Sequence, residues 1–401
     1  MRVAVLVEDR CKPNSNAYAY LKKYSALCER ECIQFEGDKC KILESACPVC
    51  FNRARHCPDD AVIVINLPEE LDSEMTHCYG ENSFRLFRLP APRQKQVVGI
   101  LGPNGMGKST AVNLLSGSIK PNLGDWRNGS PDWEEVIQAF PRGELRDYLA
   151  LLSEEGVTIA VKPQYIDRLP KIFDGEVREL LERIDDRGEI TQYSESLGIE
   201  HILSRKLGSL SGGELQRVAL CATLLKEADV YFFDEPSSYL DIYERMRMVG
   251  IIQDLSSEGK RVLVVEHDLA VLDVLCDLLH VVYGERAGYG IFTPPRTTRT
   301  AINAYLEGYL PEENVRIRDK PIKFVRGRTR GEDIGLPILK WGDMEKKMGG
   351  FHLTTGQGQV RSAEVIGVVG PNATGKTTMV KMIAGELEPD HHKRLSSSNT
   401  E

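Results

Sequence analysis

Gly102–Ser109 reads G-P-N-G-M-G-K-S, a glycine-rich spacing that ends in an amine and a hydroxyl. Chain freed by Gly102, Gly105 and Gly107 can turn its N–H groups toward the β- and γ-phosphates of a nucleotide. Lys108 adds a point charge to those oxygens, and Ser109 offers a hydroxyl to Mg²⁺. Asn104 and Thr110 belong to the same loop. Val230–Pro236, V-Y-F-F-D-E-P, sets two carboxylates after an apolar run. Asp234 suits Mg²⁺ and its water; Glu235 suits a general base that polarises the attacking water. Leu210–Arg217, L-S-G-G-E-L-Q-R, places Ser211, Gly212 and Gly213 where a helix begins, with Gln216 following. A helix N-terminus stabilises an anion.

These residues need particular elements to hold them. A buried strand must precede the phosphate loop and a helix must follow it; the runs Val97–Leu101 and Lys108–Gly117 have those patterns. Val230–Phe233 reads as a second buried strand, and the chain after Gly213 as a long helix. From about 72 to 310, apolar runs alternate with helix-period segments, which predicts an α/β nucleotide-binding domain. The loop then recurs. V-I-G-V-V-G-P-N-A-T-G-K-T-T (365–378) parallels V-V-G-I-L-G-P-N-G-M-G-K-S-T (97–110). The second copy supplies Gly370, Asn372, Gly375, Lys376, Thr377 and Thr378. A repeat this widely spaced implies duplicated domains rather than a solenoid.

The 401 residues carry 51 Lys+Arg against 59 Asp+Glu, a net charge of −8, which excludes a generally basic nucleic-acid coat. No apolar run approaches the ~20 residues of a membrane span, and Val3–Val7 stops at Glu8–Asp9, too short and acidic for a signal peptide. A cytoplasmic location without membrane partners is the expectation. Seven of ten cysteines lie before residue 58. In such a chain a cluster of this kind suggests metal or redox chemistry before disulfides. Strand-like runs R-V-A-V-L-V and A-V-I-V-I-N-L frame it, as in a small ferredoxin-like α+β module.

The L-S-G-G-E-L-Q-R segment is the signature of ABC-type ATPases. Several further segments resemble the E subfamily of ABC proteins, the ribosome-recycling ATPases also called the RNase L inhibitor family. They are H-C-Y-G-E-N-S-F-R-L-F-R-L-P (77–90), K-P-N-L-G-D-W (120–126), P-D-W-E-E-V (131–136), K-P-Q-Y-I-D (162–167) and Y-L-P-E-E-N-V-R-I-R-D (309–319). The short Lys108–Asp234 interval excludes the coiled-coil insertion of the chromosome-organising ATPases. The cysteine module and tandem repeat argue against a transporter subunit.

The resemblance implies that Gln164 senses Mg²⁺ and water, that His267 reads the γ-phosphate, and that the loop through Asp241 crosses the domain interface. Tyr79 and Phe84 either stack on adenine or pack as ordinary core aromatics. It also implies ATP-driven closure of tandem domains, ribosome splitting against a release or rescue factor, and residence on the small ribosomal subunit into initiation. The expected organisation is a degenerate iron–sulfur-type module at 1–71 and a first ATPase domain at 72–310. Its helix–loop–helix insertion at about 131–152 contacts the small subunit in the family. A hinge follows at 311–344, then the start of a second ATPase domain at 345–390 and a disordered tail at 391–401. The insertion carries Arg142 and Arg146 against Asp132, Glu134, Glu135, Glu144 and Asp147, a poor balance for phosphate contact.

Two departures from the family follow. Its iron–sulfur module uses eight cysteines for two [4Fe–4S] clusters. Here Cys11, Cys47, Cys50 and Cys57 remain, while Asn16, Tyr20, Tyr24 and Arg53 stand at the other positions. Standard clusters are expected to be absent; recruitment of Cys28, Cys32 or Cys40 to one cluster or to Zn²⁺ is the rival. Second, ABC sites are composite. Lys108 with Glu235 lacks an opposing signature within these residues, and Lys376 lacks its own carboxylate pair. The expectations are a truncated second domain, a homodimer that restores one site, or a non-catalytic protein that binds nucleotide and small subunit without splitting ribosomes.

Overall fold

The computed structural model describes residues 2–7, 9–26, 32–43, 56–66, 69–323, 336–362 and 364–392. They form two compact units, Met1–Ser238 with Arg247–Ile322, and Tyr239–Met246 with Lys323–Glu401.

The first unit opens with β1 (Arg2–Leu6), the helix Asn16–Ser25, and a hairpin of β2 (Ile33–Glu36) and β3 (Lys39–Ile42). β4 (Val62–Asn66) returns antiparallel to β1, so the two framing apolar runs pair with each other. Ser15 caps the helix by accepting from the Tyr18 N–H at 3.1 Å. Ala4, Ala17, Leu21, Ile33, Ile42, Cys57, Ala61 and Val62 form this module's core. Asn82 joins it to the chain ahead of the phosphate loop. Its Nδ2 donates to Ala4 O and Ile42 O, both at 2.9 Å, and its Oδ1 accepts from Ile42 N at 2.8 Å.

The large sheet follows. Its strands are β5 (Met75–Cys78), β6 (Arg85–Phe87), β7 (Val97–Leu101), β8 (Ile159–Lys162), β9 (Val230–Asp234), β10 (Arg261–Val265), β11 (Leu278–Glu285) and β12 (Tyr289–Phe292). In space the order is β5-β6-β12-β11-β7-β10-β9-β8, and the short β13 (Arg296–Thr297) pairs with β11. The five strands β11, β7, β10, β9 and β8 run parallel. Parallel strands are covered on both faces and therefore read as unbroken apolar runs; β7 and β9 are buried at every position. Each Val, Leu or Phe buried there contributes roughly 1.5–3 kcal/mol. Gly99 lets β7 approach its cover: a Cβ there would lie 2.6 Å from Leu279 Cδ1 and 2.7 Å from Cys276 Sγ. The expected insertion holds two helices, Trp133–Ala139 and Glu144–Ser153. Tyr148, on the second, is buried and donates its hydroxyl to Leu115 O at 2.5 Å.

Three expectations need correction. The span 311–344 is not all hinge. β14 (Tyr309–Leu310) pairs with β15 (Val315–Arg316), and β16 (Pro337–Trp341) is already a strand of the second unit; 324–335 lie outside the described residues. The second unit continues with the β17 (Met344–Met348) and β18 (Phe351–Thr355) hairpin, then β19 (Gly358–Arg361) against β16. The polar tail does not begin at 391. β20 (His391–His392) pairs with β17, next to Asp390, which accepts from Lys346 Nζ and Lys347 N at 2.7 Å each; 393–401 lie outside the described residues. Finally, 365–369 forms no ladder among the described residues, and Val365 and Val369 are 97% and 92% exposed. β7 is hydrogen-bonded on each side by β10 and β11, which come far later in sequence. The described residues of the second unit provide no such neighbours.

Candidate active site

The phosphate loop runs from the end of β7 into the helix Lys108–Leu115. Gly107, the N-cap, has φ +84°, and a Cβ would meet Leu86 Cδ1 and Phe84 Cζ at 2.7 Å each. An L side chain is thus excluded by both torsion and space. Lys108 is 7% exposed. Its Nζ donates to Gly102 O at 2.8 Å, Pro103 O at 2.9 Å and Asn104 Oδ1 at 3.2 Å. Burial pulls the ammonium down to about 8, against the opposing pull of Asp234 and Glu235. A charged lysine is what phosphate oxygens attract. Nucleotide affinity should therefore be flat through neutral pH and fall above about pH 8, approaching roughly tenfold per pH unit. Titration with a fluorescent ATP analogue across that range checks it; affinity that rises with pH would contradict it.

β9 delivers the carboxylates to the same mouth. Ser109 Oγ donates to Asp234 Oδ2 at 3.3 Å, so the two expected Mg²⁺ groups meet. Burial, then the Glu235 charge, raises the Asp234 carboxyl. Glu235 leaves the strand with φ +48°, and its N–H donates to Val265 O at 2.9 Å. Its Oε1 accepts from Gln164 Nε2 at 2.8 Å and lies 3.5 Å from His267 Nε2; its Oε2 accepts from Ser238 Oγ at 3.3 Å. Burial, then the Lys108 charge, lowers the His267 pKa, which leaves the ring neutral near pH 7 and able to donate one N–H. Tyr79 and Phe84 line the same cavity, of about 560 Å³, with the loop, Gln164, Asp234 and Glu235. Tyr79 is half-exposed, and its hydroxyl donates to Thr110 Oγ1 at 3.1 Å. Phe84 serves both readings, since it faces the cavity and packs on the sheet's core.

The signature stands at a helix start as expected. Ser211 caps Gly212–Leu224, with Glu214 closing a capping box and Gly212 and Gly213 in the first turn. Gln216, in the same run, is 1% exposed and turned inward, where Nε2 donates to Glu235 O at 3.0 Å and Pro236 O at 2.8 Å. It fixes the turn after β9.

In the second unit, Lys376 Nζ donates to Gly370 O at 2.8 Å and to Pro371 O. Asn372 N donates to Asp241 Oδ2 at 2.9 Å. Thr377 and Thr378 line a cavity of about 500 Å³ with Gly375 and Phe351. Phe351 lies against Gly375 as Phe84 lies against Gly107. The nearly equal distance of each phenylalanine from its lysine was a usable signal in the sequence.

Three further residues escaped sequence reasoning. Lys162 is fully buried at the end of β8, and its Nζ donates to Asp234 O at 2.9 Å and Glu235 O at 3.3 Å. Glu266, 3% exposed, accepts from Ser237 N at 3.2 Å and His267 N at 2.8 Å. Arg286, on the β11–β12 turn, lies over Gly105 and lines the nucleotide-sized cavity.

The ABC transporter family model matches residues 92–238. Translation initiation factor RLI1 of Saccharomyces cerevisiae is 38% identical over 99% of this chain and 67% of its own length. ABC transporter E family member 1 of Arabidopsis thaliana is 39% identical over 96% of this chain and 65% of its own. The chain belongs to the E subfamily of ABC proteins. It spans about two thirds of the length of these curated relatives. The ABC-E chain also superposes on one in a model of ribosome-bound archaeal Pelota and ABCE1. That match has a TM-score of 0.91 and 45% identity, and covers 99% of this chain and 67% of the other. A second match is the crystal structure of archaeal ribosomal stalk protein aP1 with archaeal ribosome recycling factor aABCE1. There the TM-score is 0.75 and the identity 49%, over 82% of this chain and 63% of the other.

ATP and Mg²⁺ follow from the ABC domain, and the convergence of Lys108, Ser109 and Asp234 fits them. The iron–sulfur clusters of the family fit less well. Cys47, Cys50, Arg53 and Cys28 lie outside the described residues. At two positions where the resemblance expects thiolates, the Tyr20 and Tyr24 rings lie 4.5 Å apart and pack with Cys11 on the module's core. Cys57 is buried, and its Sγ donates to Ala17 O at 3.8 Å. Among the described residues, no three His, Cys, Asp or Glu side chains are placed to hold one metal ion. Phenol rings cannot supply the thiolates of a four-cysteine cage.

Proposed function

We propose that this ABC-E chain is a cytoplasmic, ATP-hydrolysing ribosome-recycling factor that acts in subunit splitting after termination and in translation initiation. The carrying observation is Glu235, held by Gln164 and beside His267 in the cavity of Lys108, Ser109 and Asp234. Ser109 and Asp234 would hold Mg²⁺, which supplies charge neutralisation at the phosphates. Lys108 exchanges its carbonyl partners for phosphate oxygens. Glu235 accepts the proton of the attacking water, Gln164 orients that water, and neutral His267 donates toward the γ-phosphate. Gln216 and Lys162 hold the backbone that aims Glu235.

The proposed partners are the small ribosomal subunit and a release or rescue factor. Support comes from relatives named as initiation factors and from neighbours solved with ribosome-bound Pelota or stalk protein aP1. The homodimer expected from the sequence has no support in these comparisons and is set aside. Among the described residues no helix is long and apolar enough to cross a membrane.

The experiment is co-sedimentation with small ribosomal subunits, with and without a non-hydrolysable ATP analogue. Nucleotide-dependent binding is expected. Binding in neither state would overturn the proposal. Binding without ATP turnover would support a nucleotide- and small-subunit-binding protein that does not split ribosomes.

A further inference from the structure

A second cavity, of about 690 Å³, lies where the N-terminal module meets the Tyr79–Ser83 turn. Cys11, after β1, and Cys40, in β3, both open into it. Each is partly exposed, both pack on the module's core, and each thiol is the chief influence on the other's ionisation. The β2–β3 hairpin makes this meeting, because the Gly37–Asp38 turn folds Cys40 back opposite Phe35, beside the helix Asn16–Ser25. Nothing in the nucleotide chemistry uses either sulfur. Cys40 stands at no position where the resemblance expects a metal ligand, and the described residues offer no third ligand that would make the pair a metal site. Two neighbouring thiols reachable from solvent are the arrangement that oxidation joins.

We propose that Cys11 and Cys40 are a redox-modification site that closes to a reversible disulfide on reaction with a hydroperoxide. One thiol, as its thiolate, attacks the peroxide oxygen. The O–O bond breaks, a sulfenic acid forms, and, with a proton, the first water leaves when the peroxide is H₂O₂. The second sulfur then displaces the hydroxyl as a second water. Two thiols lose two electrons, and the peroxide gains them. A disulfide reductant reverses the step by thiol exchange. The bridge would tie the loop after β1 to β3, whose Ile42 is bonded to Asn82 beside the Tyr79–Phe84 segment of the nucleotide cavity.

The test uses the full chain purified anaerobically, its iron and zinc measured first. It is exposed to hydrogen peroxide, alkylated, digested and mapped by mass spectrometry. The expected result is loss of two alkylatable cysteines, a linked Cys11–Cys40 peptide, and recovery of both thiols with dithiothreitol. Cys40→Ser should abolish the link, and Cys57→Ser should keep it. The proposal is overturned if Cys11 and Cys40 both stay alkylatable after peroxide. It also fails if Cys11 is found linked elsewhere, or if stoichiometric metal protects Cys11 from alkylation before peroxide is added.

Discussion

Glu235→Gln should lower ATP turnover by roughly 10²–10⁴-fold and leave nucleotide affinity near that of the parent protein. Glutamine keeps the length and planarity of the side chain but offers no carboxylate to take a proton from water. The groups that bind phosphate and metal, Lys108, Ser109 and Asp234, are untouched. The polypeptide at 235 is fixed from outside the side chain: its N–H donates to Val265 O and its carbonyl accepts from Gln216 and Lys162. The positive φ is therefore retained. Steady-state phosphate release and binding of a fluorescent ATP analogue separate the two effects. Turnover within a few-fold of the parent would mean that water is activated elsewhere. Loss of binding in parallel with turnover would mean that Glu235 is part of the scaffold.

The large sheet was legible because its central strands are buried on both faces. β7 and β9 appear as uninterrupted apolar runs ending in a glycine-rich loop or paired carboxylates. The same rule misled at 365–369, where the residues are apolar but the described chain supplies no neighbouring strand. A run of valines encodes burial and not the partner that completes it. The tail misled in the opposite direction: two histidines look like solvent-facing residues, yet backbone pairing with β17 is indifferent to side-chain polarity.

In the site, residues with a fixed spacing to the phosphate loop were readable, and those whose role depends on a turn inward were not. Gln216 lies in the signature run but on the buried face of its helix, so its amide meets the carbonyls of 235 and 236. Cys40 gains its neighbour through a hairpin register, which no local cysteine spacing reveals.

Lys162 is the sharpest case, since a lysine before Pro163 reads as a strand-end surface charge. Its side chain instead runs inward beneath the end of β9. Burial pulls its ammonium down to about 8, while Asp234, Glu235 and Glu266 pull it back up. Lys162→Met keeps the length of the side chain and removes the charge. Two buried carbonyls then lose a charged donor, each at about 1–3 kcal/mol, and the carboxylates above lose their internal counter-charge. We expect a total destabilisation of about 3–5 kcal/mol. The acid limb of the turnover profile should also move to higher pH, since the Asp234 carboxyl, already raised by burial and by Glu235, rises further.

The pH dependence of stability distinguishes this from simple loss of packing. The folded pKa lies below the unfolded value of 10.5, so between about 8 and 10.5 the unfolded chain holds the extra proton. Stability contributed by this group therefore grows as pH rises through that window, by up to about 1.4 kcal/mol per pH unit. In the methionine variant that share of the slope disappears. Urea unfolding at several alkaline pH values measures it. A variant with the parent's slope would show that Lys162 has the same pKa folded and unfolded, and one with the parent's midpoint and turnover would show that the carbonyls find water in its place.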